Sequence, residues 1–135
     1  MTRFNKSSII ASEDTTVINQ VTEILLQNEY SVTVEKSILK IISKILESEI
    51  TLLFLDLESP QNIALDSIDI IRKLRPRLRI IVLSIDNTLE TLKALAQKGI
   101  FYSTIKPIQA EEIQEVLNAI EQAYKKNGKH FNCVV

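Results

Sequence analysis

Apolar residues along this chain alternate between two spacings. Short unbroken runs give way to stripes recurring every three or four positions, and the change repeats five times. Ile9-Ile10-Ala11 is the first run, and Val17, Val21, Ile24 and Leu25 then recur at helical spacing, with Thr15 or Thr16 as N-cap. Ser31–Val34 alternates in the manner of a short strand. Ser37 caps a second helix, with Ile38, Ile41, Ile42, Ile45 and Leu46 on one stripe. Ile50-Thr51-Leu52-Leu53-Phe54-Leu55 forms a third run, closed by Asp56. The stripe Ile68, Ile71, Leu74 follows it and ends near Pro76. Ile80-Ile81-Val82-Leu83 is wholly apolar, as a strand buried on both faces requires. An Asn-type capping box, Asn87-Thr88-Leu89-Glu90, opens a fourth helix with Leu92, Leu95 and Ala96 inward and Gly99 just beyond its end. Ile100–Ile105 is the fifth strand. The last helix carries Ile113, Val116, Leu117, Ile120 and Tyr124, with Glu111 and Glu112 in its first turn, and Gly128 stops it.

Five strand–helix units imply an α/β fold whose parallel sheet is covered on both faces. The doubly wound order 2-1-3-4-5 of flavodoxin-like folds suits five units in one domain. Residues 1–127 are read as that domain and 128–135 as a short tail. The order brings four strand ends to one rim, where ligands of open parallel sheets bind. Those ends carry Ser12-Glu13-Asp14, Asp56, Ser84 and Lys106.

Composition narrows the function. The formal net charge is −1, which argues against nucleic acid as a partner. The densest basic cluster, Arg72, Lys73, Arg75, Arg77 and Arg79, reads as an exposed helix end and its loop. No apolar run approaches the roughly 20 residues needed to span a membrane, and no signal-peptide pattern opens the chain. The single cysteine, Cys133, has no partner for a disulfide and lacks zinc spacing. With it, a reducing cytoplasmic setting is expected. His130 is solitary in the tail.

The four strand ends suit one chemistry. Carboxylates from two strands can hold a hard cation such as Mg²⁺. A lysine meets a carboxylate or phosphoryl oxygen as a compact charge, and a serine hydroxyl donates to such an oxygen. Together they fit phosphoryl transfer to a carboxylate nucleophile.

From about Ser8 to Lys126 the sequence resembles a response-regulator receiver domain, the phospho-accepting module of two-component signalling. The resemblance rests on the acidic end of strand 1, Leu-Phe-Leu-Asp56-Leu-Glu-Ser-Pro60, Ile-Val-Leu-Ser84 and Ile-Lys106-Pro107. It implies that Asp56 accepts a phosphoryl group from the phosphohistidine of a sensor histidine kinase or phosphotransfer protein. It implies Mg²⁺ held by Glu13, Asp56 and the backbone carbonyl of Glu58. Ser84 would bond the phosphoryl group, Lys106 would pair with Asp56, and the Lys106-Pro107 bond would be cis. A single-domain receiver of this kind is a signalling module rather than an enzyme. Its output would be docking to a downstream protein through the fourth and fifth helices and the fifth strand, and homodimers through the fourth and fifth helices are common in the family.

The sequence departs from the family at several positions. Strand 1 normally ends in two adjacent acids. Aligning the first helix puts Ser12 at the first and Glu13 at the second, whereas a shift by one residue makes the pair Glu13-Asp14. With Ser12 in place, one water-holding carboxylate is missing and Mg²⁺ affinity should fall. Ile85 follows Ser84 where a small residue is usual and could crowd Asp56. Ser103 stands where an aromatic or His is usual, with Tyr102 beside it and able to take that role only through a bulge. Gln61–Leu65 replaces the usual glycines after strand 3. Asp86 and Glu58 add negative charge at the rim. Ser12, Ile85 and Ser103 favour an alternative, a receiver-like interaction module independent of phosphorylation. A flavin- or nucleotide-binding protein of the same fold is disfavoured, because no Gly-rich or Ser/Thr-rich loop follows strand 1.

Overall fold

A computed structural model describes residues 5–58, 65–86 and 88–134, without the side chains of 65 and 127–134. Five strands, β1 (Ser7–Ala11), β2 (Ser31–Glu35), β3 (Leu52–Asp56), β4 (Arg79–Ser84) and β5 (Tyr102–Ile105), alternate with five helices. These are α1 (Thr15–Gln27), α2 (Ile38–Glu47), α3 (Leu65–Leu74), α4 (Leu89–Gln97) and α5 (Ala110–Val134). All pairings are parallel and the order is β2-β1-β3-β4-β5, as the sequence pattern predicts.

Strand period 2 sorts the core into two layers. Ile10, Leu52, Phe54, Ile81 and Leu83 face α1 and α5, where they meet Val17, Val21, Leu25, Ile113 and Ile120. Ile9, Ala11, Leu53, Leu55, Ile80 and Val82 face the other way, against Ile41, Ile45, Ile68, Ile71 and Leu95 of α2, α3 and α4. The central strand β3 is buried at every position, including its terminal carboxylate.

Several expectations shift by a residue or a face. The N-cap of α1 is Asp14, whose carboxylate accepts from the Thr16 and Val17 N–H groups. The chain reaches helical geometry one residue earlier than a Thr15 cap would allow and two earlier than a Thr16 cap. Thr88 caps α4, accepting from Thr91 N, so the box proposed on Asn87 is not used through Glu90; Asn87 itself lies outside the described residues. Leu92 and Ala96 are exposed because α4 meets the sheet along a narrow line, with Leu95 its only fully buried side chain. Leu46 of α2 is exposed for the same kind of reason, while Ile41 and Ile45 are buried. Helix α5 continues through Gly128 to Val134, where a stop and an unpatterned tail were expected. A lone glycine costs a helix about 1 kcal/mol relative to alanine and does not by itself end it. The side chains of His130 and Cys133 and the segment 59–64, with Pro60, lie outside the described residues.

The basic cluster after α3 is not simply a solvated end. The Arg72 guanidinium donates to the Pro76 carbonyl at 2.9 Å, to that of Leu78, and to that of Gly99. Lys98 pairs with Asp69 of α3 at 2.8 Å. Gly99 adopts φ +72°, a left-handed conformation open to glycine, and turns the chain out of α4. Arg79 is half-buried, its guanidinium 5.7 Å from the centre of the Phe101 ring.

At the opposite end of the sheet from the rim, Tyr30 is buried in the layer beneath α1, with the Lys6 ammonium 5.7 Å from its ring centre. Burial, with Glu121 adding to it and Arg79 opposing, pushes its phenol from 10.0 to about 12. The folded state therefore holds this proton more tightly than the unfolded chain. Its contribution is full below pH 10 and is lost as pH rises through about 12. In an alkaline absorbance titration, a tyrosine step at about pH 12 is expected, and Tyr30→Phe removes that step. A titration of the folded protein with that step unchanged in the variant would contradict this.

Among the described residues, no helix is long and apolar enough to cross a membrane.

Candidate functional site

The two-layer alternation explains which strand-end side chains meet. Ser12, Asp56 and Lys106 each lie two residues beyond a side chain facing α1 and α5, namely Ile10, Phe54 and Thr104. Their side chains converge. Asp56 is 1% exposed at the end of β3. Its Oδ1 lies 2.6 Å from the Lys106 Nζ and accepts from the Glu58 backbone N–H at 3.0 Å. Its Oδ2 accepts from the Ser12 hydroxyl at 2.6 Å, within the range for an O–H donor on a carboxylate. Ser12 is itself fully buried, and its Oγ accepts from Asp14 N at 3.0 Å. The Lys106-Pro107 bond is cis, and Lys106 N donates to the Ser84 carbonyl at 2.9 Å.

The remaining candidates stand around this core. Asp14 caps α1 and its second oxygen lies 4.0 Å from Lys106 Nζ, so it joins the electrostatics of the site from the exposed side. Glu13 is half-buried, and among the described residues no hydrogen bond or ion pair joins it to Asp56. Ser84 lies two residues beyond Val82, on the opposite parity from Asp56. Its hydroxyl is engaged in its own loop, accepting from Asp86 N at 2.9 Å and 3.3 Å from the Asp86 carbonyl. The Asp86 carboxylate accepts from Thr88 N and from the Thr91 hydroxyl, both at 2.9 Å. The Thr88 backbone bond, followed by the two threonine side chains, holds its carboxyl below the usual range.

Two departures from expectation concern β4 and β5. Ile85 is 66% exposed and turned to solvent, so it does not crowd Asp56. Strand β5 runs in regular register with β4, from Ile81↔Tyr102 to Ser84↔Ile105, without a bulge. Tyr102 therefore shares a face with Thr104, and both hydroxyls donate to the Glu112 carboxylate of α5. That hydrogen bond raises the Tyr102 phenol, with burial and the acids Glu112 and Glu115 adding to it. Ser103 holds the position nearer the rim, and Tyr102 does not substitute for an aromatic there. Glu58 is the feature that sequence reasoning placed only in part. Its backbone was expected at the site, yet its carboxylate also accepts from Ile85 N at 2.9 Å. Its position two residues after Asp56 gave no sign that the side chain would cross to β4.

A buried carboxylate paired to a lysine at the C-terminal rim of a 2-1-3-4-5 sheet is what a phospho-accepting module would present. The family model of the response regulator receiver domain matches residues 9–118. The chain belongs to the response-regulator receiver family. Receiver domains are signalling modules of two-component systems, and aspartate phosphorylation and Mg²⁺ binding are implied by the family. This receiver is 29% identical over 119 residues to the DNA-binding transcriptional regulator NtrC of Azospirillum brasilense. The match takes in 88% of this chain but 24% of that protein, so the receiver spans about a quarter of its relative's length. In fold it is similar to a CheY-like receiver domain protein from Methanospirillum hungatei JF-1, with a TM-score of 0.78 at 20% identity, covering 94% of this chain and 99% of the other. It is also similar to the beryllofluoride-activated NtrC4 receiver domain dimer, with a TM-score of 0.77 at 21% identity, covering 90% and 98%.

A magnesium ion fits the donor set in kind. The carboxylates of Glu13 and Asp56 and the backbone carbonyl of Glu58 are the groups that would hold it, since Mg²⁺ is commonly held by one or two carboxylates with waters completing the shell. The set is short of charge, because Ser12 contributes a neutral hydroxyl that is already bonded to Asp56. Among the described residues, no group of three His, Cys, Asp or Glu side chains is placed to hold a metal.

Proposed function

We propose that this receiver accepts a phosphoryl group on Asp56 from the phosphohistidine of a sensor histidine kinase or phosphotransfer protein, and signals by docking to a downstream protein. The observation that carries the reading is the buried Asp56–Lys106 pair at 2.6 Å, on the rim where the four strand ends meet. In the transfer, an Asp56 oxygen attacks phosphorus, the phosphorus–nitrogen bond to the donor imidazole breaks, and the imidazole leaves with its electron pair. Lys106 holds the carboxylate in place and neutralises charge that develops on the phosphoryl oxygens. Ser84, on the adjacent strand, reaches the phosphoryl group once its hydroxyl leaves Asp86. Magnesium, held by Glu13, Asp56 and the Glu58 carbonyl, would add charge neutralisation there.

Docking would use the side of α4, β5 and α5. There Leu89 and Leu92 of α4 and Tyr102 and Ile105 of β5 are exposed apolar side chains. The dimeric NtrC4 receiver supports a second copy as one occupant. A cytoplasmic setting goes with kinase partners of this class.

The test is a titration of the protein with beryllium fluoride at saturating Mg²⁺, followed by amide chemical shifts. Changes centred on Asp56, Ser84 and Lys106 are expected. Unmoved spectra would hand the protein to the second reading, a phosphorylation-independent interaction module. The Ser12–Asp56 bond favours that reading, since it occupies one acceptor oxygen with a neutral donor.

A further inference from the structure

We propose that Glu58 is an internal competitor for the incoming phosphoryl group. Its carboxylate occupies the Ile85 N–H and holds the β4–α4 loop in the position it keeps while Asp56 is unmodified. The proposal rests on the phospho-acceptor reading above and adds its regulation.

Glu58 touches both sides of the site. Its backbone N–H donates to Asp56 Oδ1 at 3.0 Å, and its Oε1 accepts from Ile85 N at 2.9 Å. Ile85 N is the first N–H beyond Ser84, at a strand end that pairs with β3 through Asp56↔Leu83. A backbone N–H there is a natural donor to an anion built on Asp56, and a carboxylate already fills it in a charge-assisted bond. On the same loop, the Ser84 hydroxyl is held by Asp86, and Asp86 is tied through Thr88 and Thr91 to the first turn of α4. The Glu58 bond thus closes a chain of contacts from Asp56 to α4, with Ser84 turned inward to its own loop.

A phosphoryl group brings about two negative charges next to a carboxylate two residues away. The two anions repel and would share the same donors. Phosphorylation therefore expels Glu58 from Ile85, and by reciprocity the Glu58 bond opposes phosphoryl binding by the same factor; uptake slows in proportion, because only the open fraction of the loop can receive the group. Glu58 is exposed, so its bond is worth what an ordinary solvent-facing hydrogen bond is worth, about fivefold in the population of the open loop.

Glu58→Ala removes both the bond and the charge. Glu58→Gln keeps an acceptor oxygen and removes the charge. Both leave the backbone carbonyl offered to Mg²⁺ in place, and an exposed side chain is not needed for folding. Two measurements are required. Without any phosphoryl donor, the Ile85 amide proton in Glu58→Ala is expected to move upfield and exchange about fivefold faster than in wild type. With Mg²⁺ and acetyl phosphate, intact-mass kinetics should show Glu58→Ala taking up phosphoryl about fivefold faster, with Glu58→Gln between it and wild type. An unchanged Ile85 amide, or equal rates in wild type and Glu58→Ala, overturns the proposal while leaving the acceptor reading standing. Glu58→Gln as fast as Glu58→Ala also overturns it, since charge alone would then account for the gain. No uptake by any of the three proteins overturns the acceptor reading and this proposal together.

Discussion

Asp56→Asn is expected to abolish phosphoryl uptake and the response to beryllium fluoride. An amide is not a nucleophile toward phosphorus and brings no negative charge to the Lys106 ammonium, so the loss is complete rather than partial. The same change alters stability. Lys106 loses a charge partner at 2.6 Å, and its other carboxylate, Asp14, stands at 4.0 Å on the exposed side. Breaking a buried pair by removing one member costs about 3–5 kcal/mol in fully buried cases. Lys106 keeps some solvent access and Asn can still accept from Ser12, so the lower end of that range is expected. Denaturant titration of both proteins checks the second outcome, and intact mass after acetyl phosphate treatment checks the first. Residual uptake in the variant would mean that another side chain accepts the group.

Ser12→Asp should convert the protein into one whose stability depends strongly on Mg²⁺. Without the ion, the new carboxylate sits against Asp56 in place of a hydroxyl donor at 2.6 Å. Two like charges about 4 Å apart repel by about 1–4 kcal/mol between the dielectric of water and that near a protein surface. The lost charge-assisted hydrogen bond adds about 1.5–3 kcal/mol. In chelator the variant is therefore expected to melt well below wild type. With Mg²⁺ at the proposed site, three carboxylates would share the cation, repulsion would become attraction, and affinity should rise about tenfold or more, as ligand charge sets affinity in oxygen sites. Thermal melts in chelator and in Mg²⁺, with calorimetric titration of the ion, report both effects. Wild type, with its neutral hydroxyl, should show the smaller difference between the two melts. A variant indifferent to Mg²⁺ would show that the Ser12 position does not face the cation.

The parts of this receiver that the sequence made plain are those governed by burial. β3 and β4 have apolar residues at nearly every position because helices cover both faces, and that fixes the strand order and the rim. Asp56 and Lys106 could be placed because each ends such a strand. Features governed by a single side-chain direction were harder to read. Asp14 rather than Thr15 caps α1 because the Asp side chain reaches two N–H groups ahead of it, a geometry either residue type satisfies in sequence. Leu92 looked inward because its spacing from Leu95 and Ala96 is helical, but one helix face is wider than the line along which α4 touches the sheet. Ser84 was grouped with Asp56 by position, yet its parity and its bonds to Asp86 hold its hydroxyl in its own loop. The Glu58 side chain was invisible because nothing local dictates a bond across to the next strand.

The two ends of α4 are held very differently. At its C-terminal end, the Arg72 fork grips the Gly99 carbonyl together with those of Pro76 and Leu78, and Lys98 pairs with Asp69, so this end is riveted to α3 and to the entry of β4. At its N-terminal end, α4 hangs from Thr88, Thr91 and Asp86 on the loop that also carries Ser84. The Lys98 end of α4 is thus the anchored one, and a displacement of the Ser84 loop is expected to move Leu89 more than Lys98.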